Sequence, residues 1–409
     1  MTSNEMLIKQ PRLGKSGLIL FAAVLGIAPP LSTDMYLPAL PDMSAELGEP
    51  LTLVNLTMTV FFLCMAVGML IWGPLSDQHG RKPMLIISLS MYALASAGCA
   101  LSMNVWLLII FRALQALGAG GMVSLSLAIV KDSFDAETRD SVLAIIQSVN
   151  VIGPIASPLL GAAILSRFSW HYVFVTLAII SFICIIITLL MNETLTEDNR
   201  NDGGVADSIR RLIVVGRNPN FTVYLLVMAI FGGAFMAYLA VASYMYIDFF
   251  GLTQGQFSIF FACNAALSVL GSLAYMKFGH RIQPKTVLVL MFAVGSASAI
   301  SMYFLGHLSP FVFSACFVPY MIINCYARPY GTAILLKQQK QDTGSASSLL
   351  NFIWTAFSAI GMLIGSAGWS DYSQGLGITI GMFVAAFLIM WFIMSRSGVR
   401  TFEIAAEEE

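Results

Sequence analysis

The sequence predicts an all-α membrane protein, with twelve transmembrane helices in two six-helix pseudo-repeats. Three observations carry that prediction. The first is composition: 58% of the 409 residues are hydrophobic and only 11% are Asp, Glu, Lys or Arg, against about 25% charged in an ordinary globular protein. A water-soluble globule is excluded. The second is patterning. Apolar runs near the roughly 20 residues that a bilayer core demands lie at about 17–40, 51–75, 83–102, 105–130, 140–165, 171–191, 221–247, 256–278, 285–305, 310–336, 344–368 and 374–395. The third is the one long polar connection, 192–220, which carries Glu193, Glu197, Asp198, Arg200, Asp202, Asp207, Arg210, Arg211 and Arg217. It divides the runs six and six, giving an N-terminal half over 1–191, a cytoplasmic linker over 192–220 and a C-terminal half over 221–409.

Charge sets the orientation. An even number of spans puts both termini on one side, and with the termini cytoplasmic 18 of the 21 Lys and Arg residues face the cytoplasm, as the positive-inside rule requires. Only Arg167 is then outside, and Arg112 and Arg328 lie within spans. The outer loop before span 2 has Asp42, Glu46 and Glu49 and no basic residue. A net charge of -1 leaves no basic excess for nucleic acid. The six cysteines (Cys64, Cys99, Cys184, Cys263, Cys316, Cys325) all fall in apolar runs, so they read as small core residues rather than a disulfide framework.

In span 1, Lys9, Arg12 and Lys15 before the apolar stretch imitate a secretory leader, but no small-residue cleavage site follows and more spans do. Asp34 is the one acidic residue placed well within a span, about 25 Å along the helix from Gly17. A buried carboxylate whose protonation follows access is what proton coupling needs. Its competing reading is a structural cap after Pro29 and Pro30.

At the junction of spans 2 and 3 stands GPLSDQHGRKPML, 73–85. Gly73 permits close helix approach, Gly80 permits a tight turn, and Pro83 suits the first turn of the next helix. Asp77 is expected to face a helix N-terminus, with the start of span 11 at Gly344 and Ser345 as its partner, latching the halves on the inside. Span 4 carries FRALQALGAGG; eight residues from Asn104 put Arg112 about 12 Å below the outer surface. An intramembrane arginine is a functional candidate by default. Span 5 contains GPIASPLLGAA, where Pro154 and Pro158 bend the helix and Gly161 permits tight packing.

In the second half, span 10 has Tyr320, Asn324 and Arg328 at helical spacing, and span 11 has Ser347, Asn351, Trp354 and Ser358. Both stripes should face protein or water. With Tyr36, Gln115, Tyr238 and Asn264 they are candidate walls of a substrate cavity; ordinary interhelical hydrogen bonds are the competing reading. Gly271, Leu273, Lys277, Gly279, His280 and Arg281 faintly echo the span 2–3 loop, as parallel repeats would. Gly14, Lys15 and Ser16 imitate the end of a phosphate loop, but the leading glycine is Lys9 and no strand precedes it. His79, His171, His280 and His307 occupy separate loops without ligand spacing. No metal and no cofactor are expected.

On these residues the chain resembles the major facilitator superfamily. Its signature G-x-L-x-D-x-x-G-R-K is met at Gly73, Leu75, Asp77, Gly80, Arg81 and Lys82. Its helix 4 form R-x-x-Q-G is matched by Arg112 and Gln115, with Ala116 in place of glycine. The span 5 segment is similar to the superfamily's antiporter motif at Gly153 and Pro154, while Val149 stands for the first glycine and Ser157 and Pro158 for a glycine pair. That variant, with STDMYLPALP (32–41), SWHYVF (169–174) and TGSASSLL (343–350), is similar to the bicyclomycin and chloramphenicol resistance subgroup, Bcr/CflA, over the whole chain.

The resemblance implies a transporter rather than an enzyme. Its expected activity is proton-coupled efflux of drugs or other small organic molecules across the bacterial inner membrane by alternating access, conferring antibiotic resistance. Asp34 takes a proton when open to the outside, Arg112 biases its titration, and the span 2–3 loop gates the inner side. Partners are then the substrate, protons and lipid, and a monomer is expected. Two intramembrane arginines against one carboxylate suit an alternative, a dedicated exporter of an anionic metabolite such as a polycarboxylate siderophore. A channel, which needs no proton coupling, is a further alternative.

Overall fold

Among the described residues the regular structure is helical, in a computed structural model that describes residues 6–197, 200, 205–279, 281–338 and 343–396. Asp198, Asp202 and His280, singled out above, lie outside the described residues. The helices, in chain order, are α1 Gly14–Gly26, α2 Ala28–Asp34, α3 Leu40–Leu47, α4 Leu51–His79, α5 Arg81–Ala100, α6 Val105–Ser133, α7 Ala136–Leu165 and α8 His171–Leu190. They continue as α9 Val205–Gly216, α10 Pro219–Ser243, α11 Gln254–Phe278, α12 Pro284–Leu305, α13 Pro310–Lys337, α14 Thr343–Gly365 and α15 Tyr372–Arg396. Among the described residues, eleven helical stretches are long and apolar enough to cross a membrane, and Ile152–Leu165, inside α7, is a shorter apolar one.

The first predicted span is not one helix. Pro29, Pro30, Pro38 and Pro41 each lack an N–H and fix φ, so the segment is divided into α1, α2, a 3-10 turn over Leu37–Ala39, and α3. Ser32 and Thr33 return their hydroxyls to the carbonyls of Ala28 and Pro29, four residues back. The predicted seventh span ends in a π-helix over Tyr244–Phe249, where the Phe250 N–H reaches back five residues to the Met245 carbonyl. Elsewhere the ends are set by ordinary caps. Asn104 and Asp135 accept from the third backbone N–H after them to open α6 and α7, and Thr253 with Gln256 forms a capping box on α11. Asp135 lies outside the spans, and its hydrogen bonds from Thr138 hold the carboxyl below the usual aspartate value.

Two compact units emerge. The first comprises Met1–Glu49 and Val60–Ser208, the second Pro50–Thr59 and Ile209–Glu409. In the first, α5 packs on α6 and α8, and α1 and α2 pack on α6 and α7, around buried Phe21, Tyr36, Phe61, Tyr92 and Phe174. Residues 6–13 form a strap at one end of this unit. Leu7 donates its N–H to the Ser133 carbonyl, and the Gln10 amide pairs with the Asn192 backbone at 3.1 and 2.7 Å.

In the second unit α10 packs on α13, α14 and α15, α12 on α15, and α11 on α13. Phe221, Phe231, Tyr238, Phe313, Phe317 and Phe387 fill its core. The opening turns of α4 belong to it: the Asn55 amide donates to the Ala240 carbonyl and Thr52 to that of Ser366, each at 2.9 Å.

Candidate functional site

The first polar cluster is built on Arg112. Two turns into α6 the side chain is fully buried, and such a cation needs compensation. One guanidinium nitrogen donates to the Ser32 carbonyl at 2.9 Å and to Gln115 Oε1 at 2.7 Å, and the other to the Tyr36 hydroxyl at 3.4 Å. Gln115 passes its amide on to Ser96 at 2.8 Å. The guanidinium carbon also lies over the rings of Phe61 at 4.2 Å, Tyr36 at 4.8 Å and Phe174 at 5.7 Å, an aromatic cage that favours a desolvated cation.

Asp34, only 5% exposed, sits two residues past the Ser32 carbonyl that Arg112 holds. Its Oδ1 accepts from Thr33 Oγ1 at 2.8 Å. The two charges do not pair with each other, whereas Arg81 forms ion pairs with Asp77 and Asp132. Arg112 is therefore held by neutral acceptors and π faces, with its Nε buried and unpartnered, and the Asp34 carboxyl is left with its hydroxyl partner.

The α7 motif explains how that segment is placed. Gly153 faces Ile27 and Pro30, where a Cβ would come within 2.6 Å of the Ile27 side chain. At Gly161 a Cβ would overlap the Met35 carbonyl. Pro154 and Pro158 lie inside the helix, and Ser157 Oγ donates to the Gly153 carbonyl at 2.7 Å. In this chain the motif lets the α7 backbone run against residues 27–35.

The Gly73–Lys82 segment forms a second cluster. The α4 helix continues through Gly73 and Leu75 to His79, and Gly80, at φ +97°, turns the chain into α5. Arg81, 6% exposed, donates to Asp77 Oδ1 at 2.5 Å, Ser76 Oγ at 2.6 Å and Asp132 Oδ2 at 2.8 Å. Lys82 Nζ caps the Leu189 carbonyl at 2.9 Å. Within the first unit Asp77 is engaged by Arg81.

Sequence reasoning missed the centre of this cluster, Glu193. Its carboxylate accepts the backbone N–H groups of Arg81 at 2.9 Å, Lys82 at 3.0 Å, Thr194 at 2.9 Å and Leu195 at 3.0 Å. It thus satisfies two orphan donors at the α5 N-terminus. It also fixes Gly80, because a Cβ there would lie 2.6 Å from Glu193 Oε2. The available signal was topological: an acid directly after span 6 shares a membrane face with the start of span 3. Asp132, at the end of α6, was missed for the same reason.

The predicted cavity residues are shared between the two units. Tyr36 and Gln115 belong to the Arg112 cluster. Tyr238 and Asn264 join Tyr246 and Ser314 in the second unit, where the Asn264 amide donates to Tyr238 at 2.8 Å, Ser314 at 3.2 Å and Tyr246 at 3.4 Å. Phe317 stacks on Tyr238 at 4.2 Å. Tyr320, fully buried, spends its hydroxyl on the Phe231 carbonyl. Asn324, beside Gly232, precedes Arg328 by one turn of α13, and the Arg328 guanidinium lies 4.9 Å above the Trp354 ring of α14. Asn351, one turn before Trp354, is exposed.

This geometry can be compared with known proteins. A sequence profile of the Major Facilitator Superfamily matches residues 22–362. The chain belongs to the major facilitator superfamily. It is 31% identical over 349 residues, 84% of this chain and 86% of the relative, to the uncharacterized transporter YdgK of Bacillus subtilis. To a bicyclomycin resistance protein homolog of Haemophilus influenzae it is 26% identical over 388 residues, 93% of this chain and 96% of the relative. Among solved structures, a D-xylose-proton symporter aligns with a TM-score of 0.71 at 15% identity, covering 91% of this chain and 96% of the other. This major facilitator protein is accordingly a multi-pass membrane transporter and not an enzyme, with a bicyclomycin resistance homolog among its relatives, the subgroup its sequence resembles.

Proposed function

We propose that the chain is a proton-coupled antiporter that exports small organic molecules across a bacterial inner membrane by alternating access, with both termini cytoplasmic and six spans on either side of the 192–220 linker. The observation that carries the reading is Asp34, a carboxyl 5% exposed inside a membrane-spanning stretch. A group so costly to ionise in a membrane is retained for a function. Because Arg112 is held by Ser32, Gln115 and Tyr36 rather than by Asp34, Asp34 gains and loses a proton without an ion pair having to break. Arg112 shapes the segment that presents the carboxyl, and the Gly73–Lys82 cluster gates the inner side. The bicyclomycin resistance homolog among the relatives supports drugs as one substrate range.

The test is proton release from energised inverted membrane vesicles on adding, in turn, a lipophilic cation, a neutral amphenicol and a polycarboxylate. One class is expected to collapse the gradient in the wild type and not in Asp34→Asn. Undiminished gradient-driven transport in Asp34→Asn would refute the coupling role.

A further inference from the structure

In the second unit, α13 and α14 bring together an unusual density of unspent donors. Arg328 is exposed, and among the described residues its guanidinium has no carboxylate and no hydrogen-bond acceptor. It lies over the Trp354 ring at 4.9 Å. The guanidinium N–H groups are left without an acceptor, and a planar guanidinium is the donor from which a carboxylate or phosphate accepts in a bidentate manner. The indole N–H of Trp354 is itself buried without a partner. Asn324 and Asn351, each one turn away on the same helix faces, add two amides.

Depth makes this arrangement expensive. Arg328 is nine residues from the Lys337 end of α13, about 14 Å, and Trp354 is eleven residues from the Thr343 end of α14, about 17 Å. Both lie inside candidate membrane spans. A fixed cation and an orphaned buried donor there call for an acceptor. The side chains named supply donors and a positive charge, and no acid stands among them.

We propose that Arg328 and Trp354, flanked by Asn324 and Asn351, form a binding site for the acidic group of a small organic anion. The carboxylate or phosphate accepts from the exposed Arg328 guanidinium, and a small shift of the indole opens the buried Trp354 N–H to it. Calling this anion a substrate rests on the transport reading above; the binding does not.

The test is calorimetric binding of 2-naphthoate and of neutral 2-naphthamide to the full chain in phosphatidylcholine nanodiscs. They share a ring and differ in the group the site would hold. Wild type is expected to bind the acid about tenfold more tightly, one charge-assisted contact's worth. Arg328→Gln should abolish that preference without weakening the amide, Arg328→Lys should keep part of it, and Trp354→Phe should weaken the acid alone by several-fold. Asp34→Asn should leave the preference unchanged, so failed coupling and failed anion binding are told apart. Adding phosphatidylglycerol distinguishes the source: Arg328-dependent competition would keep the anion chemistry and make a lipid headgroup the occupant. Equal binding of acid and amide, absence of both, or a preference that survives Arg328→Gln would overturn the proposal.

Discussion

Replacing Glu193 by Ala removes one carboxylate that accepts four backbone N–H groups, two of them the first donors of α5. Hydrogen bonds to a charged acceptor contribute about 1.5–3 kcal/mol when buried, and loss of a helix cap costs about 0.5–2 kcal/mol. The two local bonds to Thr194 and Leu195 are replaceable by water more readily than those to Arg81 and Lys82, and Glu193 is half-buried. The expected loss is therefore about 2–4 kcal/mol. Smaller chains lose about 2–4 °C per kcal/mol, and a chain of this length should lose about half that, so the melting temperature should fall by about 2–8 °C. The assay is thermal unfolding of the purified protein in detergent, followed by tryptophan emission. Glu197→Ala is the control, since that residue is exposed and should shift stability by less than about 0.5 kcal/mol. Glu193→Gln should fall between them, keeping an acceptor but not the charge. A Glu193→Ala shift no larger than the control's would refute the idea that this carboxylate organises the turn.

Gly161→Ala should cost about 1–3 kcal/mol and impair transport more than Ala163→Ser, because its Cβ must displace the Met35 backbone; vesicle transport alongside thermal unfolding checks this. Asn264→Leu strips donors from three hydroxyls and should destabilise by about 1–3 kcal/mol, with Tyr246→Phe milder, measured by the same unfolding assay. Asp135 has a depressed carboxyl value because Thr138 hydrogen-bonds it. Its capping contribution is present above the unfolded aspartate value of about 3.9 and lost as pH falls through the lower folded one. Exchange protection of the first α7 turn, corrected for intrinsic rate, should hold at pH 5 and fade below pH 4, and Asp135→Ala should remove it at both.

What could be read from the sequence was what the bilayer imposes locally. Span positions follow from the length of apolar runs, and the caps at Asn104 and Asp135 act within three residues. The prolines at 29, 30, 38 and 41 already held the breaks in the first span, yet continuous apolarity masked them. The π-turn at Tyr244–Phe249, where Tyr246 packs on Phe257, Phe260 and Phe313, has no comparable mark in the local sequence. Arg112 and Asp34 stood out as charges in apolar runs, but their lack of mutual pairing did not, because Arg112 is held by a carbonyl 80 residues away. Glu193 was hidden by a separation of 112 residues from Arg81. The grouping of 50–59 with the second unit was equally invisible, because it depends on carbonyls of Ala240 and Ser366 that any sequence supplies.

The strap over residues 6–13 bears on how the protein is made. Synthesis runs from the N-terminus, so Gln10 emerges first among its partners and Asn192, 182 residues later, emerges last. The strap cannot close until α8 has been translated, although Ser133 becomes available to Leu7 earlier. Docking of Gln10 on Asn192 therefore marks completion of the six N-terminal spans while the rest of the chain is still on the ribosome. A protease site placed just before Gln10 would become protected in nascent chains only once they extend past residue 192 and clear the exit tunnel, which makes the strap a built-in reporter of assembly order.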